Sequence, residues 1–151
     1  MTNDKENLTL RACSINNLSH LLRIENRCFD NPWTINMLVS EILNQDTHFL
    51  CLCKDDEMVG YISLWLVLDN ANINNLAIDK PFQNSGYGSY LLNKSIEALK
   101  TKNIKEVTLE VRQSNEAALK LYKANGFDII GVRKDYYIKP TEHAYIMSKR
   151  I

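Results

Sequence analysis

Apolar and polar residues along this chain change period several times, and those changes mark out the elements. Leu8 to Cys13 reads as a first strand. Ser14 can then cap a helix whose apolar positions Ile15, Leu18 and Leu22 fall at helical spacing. Pro32-Trp33-Thr34 interrupts the chain, and Thr34 can cap a second helix with Met37, Leu38 and Ile42 facing inward. Three runs rich in apolar and β-branched residues follow: Thr47 to Cys53, Val59 to Leu68 and Asn72 to Ile78. Broken by Lys54-Asp55-Asp56-Glu57 and by Asp69-Asn70, they predict an antiparallel meander. From Gly86 the period lengthens, with Tyr87, Leu91, Leu92, Ile96 and Leu99 spaced for a helix. A strand from Lys105 to Val111 comes next, then a helix from about Asn115 to Asn125. Gly126 ends that helix where a left-handed residue is cheapest. Phe127 to Val132 and Ala144 to Ser148 complete the set.

A strand, helix, strand order over 72–111 implies a parallel pair joined by a crossover, inside a sheet that is otherwise antiparallel. The expectation is an α+β fold with a central mixed, mainly antiparallel sheet of about seven strands and about four helices. No Pro/Gly/Ser-rich linker and no internal repeat divides the sequence. At 151 residues, 45% of them hydrophobic, residues 1–151 read as one domain with a sizeable core.

Charge and cysteine content narrow the function classes. Eighteen Lys plus Arg balance eighteen Asp plus Glu, without the basic excess of a nucleic-acid binder. A compact ligand or a small protein segment fits better. Cys51 and Cys53 are one residue apart, not the two to four of a zinc knuckle, so no metal site is expected. Their alternation places both on one face of a strand, and all four cysteines (Cys13, Cys28, Cys51, Cys53) read as buried free thiols. Met1 to Asn7 is polar and lacks the apolar stretch of a signal peptide. No run approaches the roughly 20 apolar residues of a membrane span. A cytoplasmic protein without membrane attachment is the expectation, monomeric or weakly self-associating.

The loop Gln83-Asn84-Ser85-Gly86-Tyr87-Gly88 lies where a strand gives way to a helix. The first N–H groups of such a helix favour phosphate oxygens through hydrogen bonds and the helix dipole. A P-loop is a poor fit, since Gly88 is followed by Ser89-Tyr90 and not by Lys-Ser/Thr. A dinucleotide fingerprint fits partly: Gly86-Tyr87-Gly88 opens a helix and Glu110 mimics the ribose-binding acid. Leu91, however, replaces its third glycine, and the loop follows a meander. By itself the loop supports an anion site or a glycine turn that merely starts a helix.

A longer set of residues is more specific. Asn75-Leu76-Ala77-Ile78-Asp79 followed by Gln83-x-x-Gly86-x-Gly88 resembles the acetyl-CoA motif of the GNAT acyltransferase superfamily. Asn31-Pro32-Trp33-Thr34, Leu109-Glu110-Val111-Arg112, Ser114-Asn115-Glu116-Ala117-Ala118, Leu121-Tyr122, Asn125-Gly126-Phe127, Arg133 and Tyr136-Tyr137 resemble its RimI branch. That branch acetylates the N-terminal alanine of the eighteenth small-subunit ribosomal protein. The resemblance covers nearly the whole chain. It implies acetyl-CoA as cosubstrate and a protein N-terminus, that of a ribosomal protein, as partner.

Residue roles follow from the resemblance. The pyrophosphate is implied to sit on the amides of Gln83, Asn84, Ser85, Gly86, Tyr87, Gly88 and Ser89. Family members often carry arginine where Asn84 and Ser89 stand, so amide donors and the Ser89 hydroxyl are left to hold it. Main-chain groups of Leu76, Ala77 and Ile78 are implied partners of the pantetheine arm, which could add like a short strand where neighbours splay apart; their side chains read as core. Glu110 matches the proton acceptor. On its strand Val107, Leu109 and Val111 share one face, so Glu110 points to the other; read alone it is equally a solvated strand-end carboxylate.

Tyr122 matches the proton donor to the departing sulfur. A phenol suits that task because its ordinary pKa, about 10, lies above that of a thiol, about 8.5. The alternative is an aromatic packing on Ala118 and Leu121. Asn115 reads as a helix N-cap and, by resemblance, a cofactor contact. Trp33 and Tyr137 either line the acceptor groove or pack. The segment Ile138 to His143 departs from the Gly- and Asp-containing version expected of the branch, and His143 at a strand start reads as a surface residue rather than a base. An N-terminal amine, with a pKa near 8 against about 10.4 for lysine, has on the order of a tenth of its population neutral at pH 7. A modest base then suffices. A lysine or small-molecule acceptor, or a non-catalytic acyl-CoA sensor, stays open.

Overall fold

The computed structural model describes residues 7–151; Met1 to Glu6, most of the polar segment read above as lacking a signal sequence, lie outside the described residues. The chain runs β1 (Leu8–Ala12), α1 (Leu18–Cys28), α2 (Ile35–Leu43), β2 (Thr47–Lys54), β3 (Glu57–Val67), β4 (Asn70–Ile78), α3 (Tyr87–Lys100), β5 (Glu106–Arg112), α4 (Glu116–Ala124), β6 (Asp128–Tyr137) and β7 (Glu142–Arg150), with short 3-10 turns at Ile15–Asn17 and Lys80–Phe82. The strands form one sheet in the order β1-β2-β3-β4-β5-β7-β6, antiparallel throughout except for the β4/β5 pair. The meander, the parallel step and the mixed sheet match the reading from periodicity.

Alternation along the strands sends side chains to two cores. On one face Leu52, Ile62, Leu64, Ile73, Val107 and Leu109 pack under α3, whose Leu91, Leu92, Ile96 and Leu99 are buried, as their spacing predicts. On the other, Phe49, Cys51, Cys53 and Tyr61 meet Leu21 and Ile24 of α1 and Leu38 of α2. Strand β3 is buried on both sides from Met58 to Leu64, which is why it reads as a nearly continuous apolar run.

The two early helices differ in detail from expectation. Ser14 precedes a 3-10 turn, and its N–H donates to Asn17 Oδ1 at 2.8 Å; the α-helix proper starts at Leu18. Three residues at 120° rather than 100° rotate the face by about 60°, so Leu21 and Ile24 turn inward while Ile15 stays 44% exposed. Thr34 does cap α2, its hydroxyl accepting from Met37 N–H at 3.2 Å. Met37, expected inside, is nevertheless exposed; this helix is buried only at Leu38, with Ile42 half-buried.

The cysteine expectation is corrected as well. Cys13 N–H donates to Phe49 O at 2.8 Å, and the Cys13 and Cys51 Cα atoms lie 5.6 Å apart with the sulfurs bonded. The pairing depends on the register of β1 on β2, which spacing along the chain does not disclose. Cys28, half-buried, and Cys53, buried, are free.

Two features of β4 prepare a site. A bulge at Asn74 interrupts the ladder with β3, where Ser63 pairs with Asn75 but Leu64 pairs with Ile73. Pairing with β5 stops there too, running only from Asn70/Glu106 to Ile73/Leu109. Beyond Ile73 the two parallel strands part. Gly60 of β3 presses against the free half of β4: a Cβ there would stand 2.6 Å from Ala77 O and from Ile78 Cδ1. Gly60→Val is therefore expected to destabilise the protein by about 1–3 kcal/mol, read as a fall of several degrees in a thermal melt.

Candidate active site

Where β4 and β5 diverge, the strand edges lose their partners and a cleft of about 600 Å³ opens between them. Its walls include Asn74, Asn75 and Leu76 of β4, Glu110 and Arg112 of β5, and Asn115 and Tyr122 around α4. Glu25, Trp33 and Tyr137 close the far rim. A second cavity of about 300 Å³ adjoins it and shares Trp33, Ile73, Asn74, Glu110 and Tyr137. Glu110 thus stands at the junction of the two spaces. On the β5 side of residues 74–78 no strand among the described residues satisfies the main chain, an arrangement that accepts an extended, amide-bearing chain.

The Glu110 carboxylate is mostly buried, its side chain 17% exposed. Asn72 Nδ2 donates to Oε2 at 3.4 Å and Arg133 Nε lies 3.4 Å from Oε1. Tyr122 is buried, its ring edge-on to Phe127 at 5.5 Å between centroids. Its hydroxyl has no hydrogen-bond partner among the described residues, although the residue lines the cleft. Burial, seconded by the neighbouring Tyr137, holds this phenol well above its ordinary pKa. Tyr137 is pushed up to about 12, chiefly by burial; Arg112 sits over its ring at 4.4 Å. Asn115 fills the role of N-cap, its Oδ1 accepting from Ala118 N–H at 3.1 Å, and it also lines the cleft.

The glycine loop lies past the end of β4, outside the cleft wall. Asn84 (φ 61°) and Gly86 (φ 83°) both take left-handed conformations, which Asn and Gly tolerate best. The reversal leaves the N–H groups of Tyr87, Gly88 and Ser89 with no acceptor among the described residues, as the first turn of a helix does. An anion fits there. The Tyr87 side chain is core, edge-on to Phe82, so only its amide is available. Ser89 Oγ accepts from Asn125 Nδ2 at 3.0 Å, leaving its own proton to donate. The Gln83 amide clamps the loop to β4, donating to Ile78 O at 2.9 Å. Buried Asp79 latches α1 to the same corner through Arg27 at 3.2 Å and Arg23 at 3.6 Å. His143 lies apart from the cleft, its Nδ1 accepting from Asp135 N–H at 2.9 Å.

Sequence reading missed Glu25. This carboxylate sits on the buried stripe of α1, one turn beyond Leu21, and is 1% exposed. A charged residue at an apolar position of the helical period is the signal that could have found it. Its Oε2 accepts from Trp33 N–H at 2.8 Å and its Oε1 from Asn75 Nδ2 at 2.9 Å, tying the segment between α1 and α2 to the bulged part of β4. Burial pushes its pKa from 4.5 up to about 7, against the opposing Trp33 hydrogen bond.

The sign of the linkage follows from that shift. Below pH 4.5 the carboxyl is neutral folded or unfolded; as pH rises toward 7 the unfolded chain ionises first, and folded stability falls. The loss is on the order of 3 kcal/mol. Glu25→Gln is expected to gain up to that amount relative to the unsubstituted protein between pH 5 and pH 8 in urea unfolding. A difference independent of pH would show that Glu25 does not titrate in this range.

Among the described residues no three His, Cys, Asp or Glu side chains gather as metal ligands, and no helix is long and apolar enough to cross a membrane.

Comparison with known proteins adds to this geometry. The sequence profile of the acetyltransferase (GNAT) family matches residues 18–127. A [ribosomal protein bS18]-alanine N-acetyltransferase from Haemophilus ducreyi is 37% identical, over 86% of this chain and 91% of that one. Its counterpart from Salmonella typhimurium is 36% identical over 93% and 95%. The crystal structure of the ribosomal-protein-S18-alanine N-acetyltransferase from Escherichia coli superposes with a TM-score of 0.88 at 30% identity, covering 95% of this chain and 94% of the other.

Proposed function

The chain belongs to the GNAT acetyltransferase family, and from that premise we propose that it acetylates a protein N-terminal α-amine, with the N-terminal alanine of ribosomal protein bS18 as acceptor. The observation that carries this reading is the cleft between β4 and β5, with Glu110 and Tyr122 both on its wall. The names of the relatives support the choice of acceptor. Residues 1–151 act as one catalytic domain, in the cytoplasm.

Acetyl-CoA, the cosubstrate of this family, supplies an activated acyl thioester. The fit rests on three features already described: unpaired amides at the start of α3, a free β4 edge, and a cleft that runs from that edge at Asn74 to Leu76 to the Glu110 carboxylate. The main-chain N–H groups of Asn84 to Ser89 hold the phosphates, with Asn115 as a further contact, and the main chain of Leu76 to Ile78 holds the pantetheine arm; Gln83, expected among the amide donors, instead gives its own N–H to Lys80 O at 3.2 Å. Because Gln83 already donates to Ile78 O, the loop and the arm's binding edge are set relative to each other before any ligand arrives.

Glu110 takes the proton from the acceptor ammonium, directly or through a water, leaving a neutral amine to attack the thioester. A main-chain N–H in the 76–78 stretch polarises the thioester oxygen. As the C–S bond breaks, Tyr122 Oη gives its proton to the leaving sulfur, which departs as the free thiol of CoA, and the second proton shed by the attacking nitrogen as the amide forms restores the Tyr122 hydroxyl. Trp33 and Tyr137 border the amine's approach, and Glu25 acts as a positioning residue by holding Trp33 against Asn75. The family's broader chemistry includes other amines, since fold does not fix the acceptor.

Mass spectrometry of ribosomal-protein N-terminal peptides after incubation with enzyme and acetyl-CoA tests the reading. A mass increase of one acetyl group on the N-terminal residue of bS18 is expected. Acetyl-CoA consumption with lysine or a polyamine but with no N-terminal peptide would replace it by a lysine or small-molecule acetyltransferase.

A further inference from the structure

The second cavity has walls unlike those of the first. Four aromatic residues line it, Trp33, Trp65, Tyr136 and Tyr137, together with two carboxylates, Glu41 and Glu110. Tyr137 and Tyr136 already carry guanidinium groups nearby, Arg112 at 4.4 Å and Arg133 at 5.9 Å from the ring centroids, and Arg133 also pairs with Glu110. Glu41 differs. Its Oε2 accepts from Ser63 Oγ at 3.0 Å and Thr47 Oγ1 at 3.5 Å, and no Lys, Arg or His among the described residues pairs with it. A half-buried carboxylate without a cation thus faces a cavity whose other walls include two tryptophans, the ring type that holds cations best.

We propose that this cavity is a subsite for a lysine or arginine side chain of the acceptor, a few residues behind its reacting amine, held between the Glu41 carboxylate and the Trp33 and Trp65 rings. The inference rests on the N-terminal-acceptor reading and deepens it. Continuity places the acceptor chain here: Glu110, Trp33 and Tyr137 border both spaces, while neither Tyr122 nor the glycine loop borders the second. An amine that reaches Glu110 has its following residues at the mouth of this cavity. Charge then selects among them. A cation satisfies Glu41 and gains from the ring faces, whereas an aliphatic side chain gains the walls but leaves the carboxylate unpaired. An acidic side chain meets two like charges.

The test uses hexapeptides beginning with alanine, in which arginine, norleucine or glutamate is walked through positions 2, 3 and 4. At one position kcat/KM for arginine is expected to exceed that for norleucine about tenfold, with glutamate lowest. In Glu41→Gln, which keeps an oxygen for Ser63 to donate to, that ratio falls to within about twofold. A second readout does not need turnover: both tryptophans of the chain line the cavity, so the fluorescence of the protein titrated with N-acetylated arginine or norleucine peptides reports their Kd. If no N-terminal peptide is acetylated, the acceptor reading fails while the fluorescence still decides the cation preference. Equal Kd and equal kcat/KM for arginine and norleucine at every position, or a preference that survives Glu41→Gln, overturns the proposal.

Discussion

Tyr122→Phe is expected to lower kcat by about 100- to 10,000-fold, the range for loss of a positioned general acid, with little change in KM for acetyl-CoA. The change is nearly isosteric, so the edge-on contact with Phe127 survives. The hydroxyl has no hydrogen-bond partner among the described residues, so its removal orphans none of them. What disappears is a proton. Burial and the adjacent Tyr137 keep this phenol protonated far above neutral pH, and a departing thiolate, whose conjugate acid has a pKa of about 8.5, has no comparable donor on the α4 wall. Steady-state release of free thiol measures the effect. A kcat within about threefold of the unsubstituted protein would reduce Tyr122 to a packing residue; absence of thiol release from both proteins would revive the sensor reading.

Glu110→Gln should cost on the order of 100-fold in kcat/KM at pH 7, and the deficit should shrink as pH rises. The direction follows from the acceptor. An α-amine with a pKa near 8 is mostly ammonium at pH 7 and mostly neutral at pH 9, so the need for a base fades over that interval. The substituted side chain keeps one amide oxygen to accept from a neighbour, but Arg133 loses its anionic partner. A purely structural role through that ion pair predicts a deficit that does not vary with pH. Rate profiles of both proteins from pH 6.5 to 9.5 separate the two.

Much of the fold was legible because it depends on local chemistry. The three-strand meander follows from apolar runs broken by Lys54 to Glu57 and by Asp69-Asn70, and the structure places its turns there. The long helix after Gly86 buries the residues its period selects, and Gly126 takes the left-handed conformation its place after α4 calls for. Where local signals are weaker the readings slip. The 3-10 turn before α1 rotates its face, and α2 sits over the sheet with only Leu38 fully buried, so Met37 stays outside.

Sequence by itself determined the order of elements, because backbone propensity and period are properties of neighbours along the chain; the acetyl-CoA motif and the proton-transfer roles proposed for Glu110 and Tyr122 are what its resemblance to the family implies. Tertiary structure decided what depends on residues far apart in sequence. It bonded Cys13 to Cys51 through the register of β1 on β2. It buried Glu25 between Trp33 and Asn75, which moves its titration into the neutral range. It also brought Glu41 into one cavity with Trp65 and Tyr136. The physical reason is the same each time: burial and electrostatic environment are set by which elements pack together, and the Asn74 bulge that parts β4 from β5 is what turns those packed elements into a cleft.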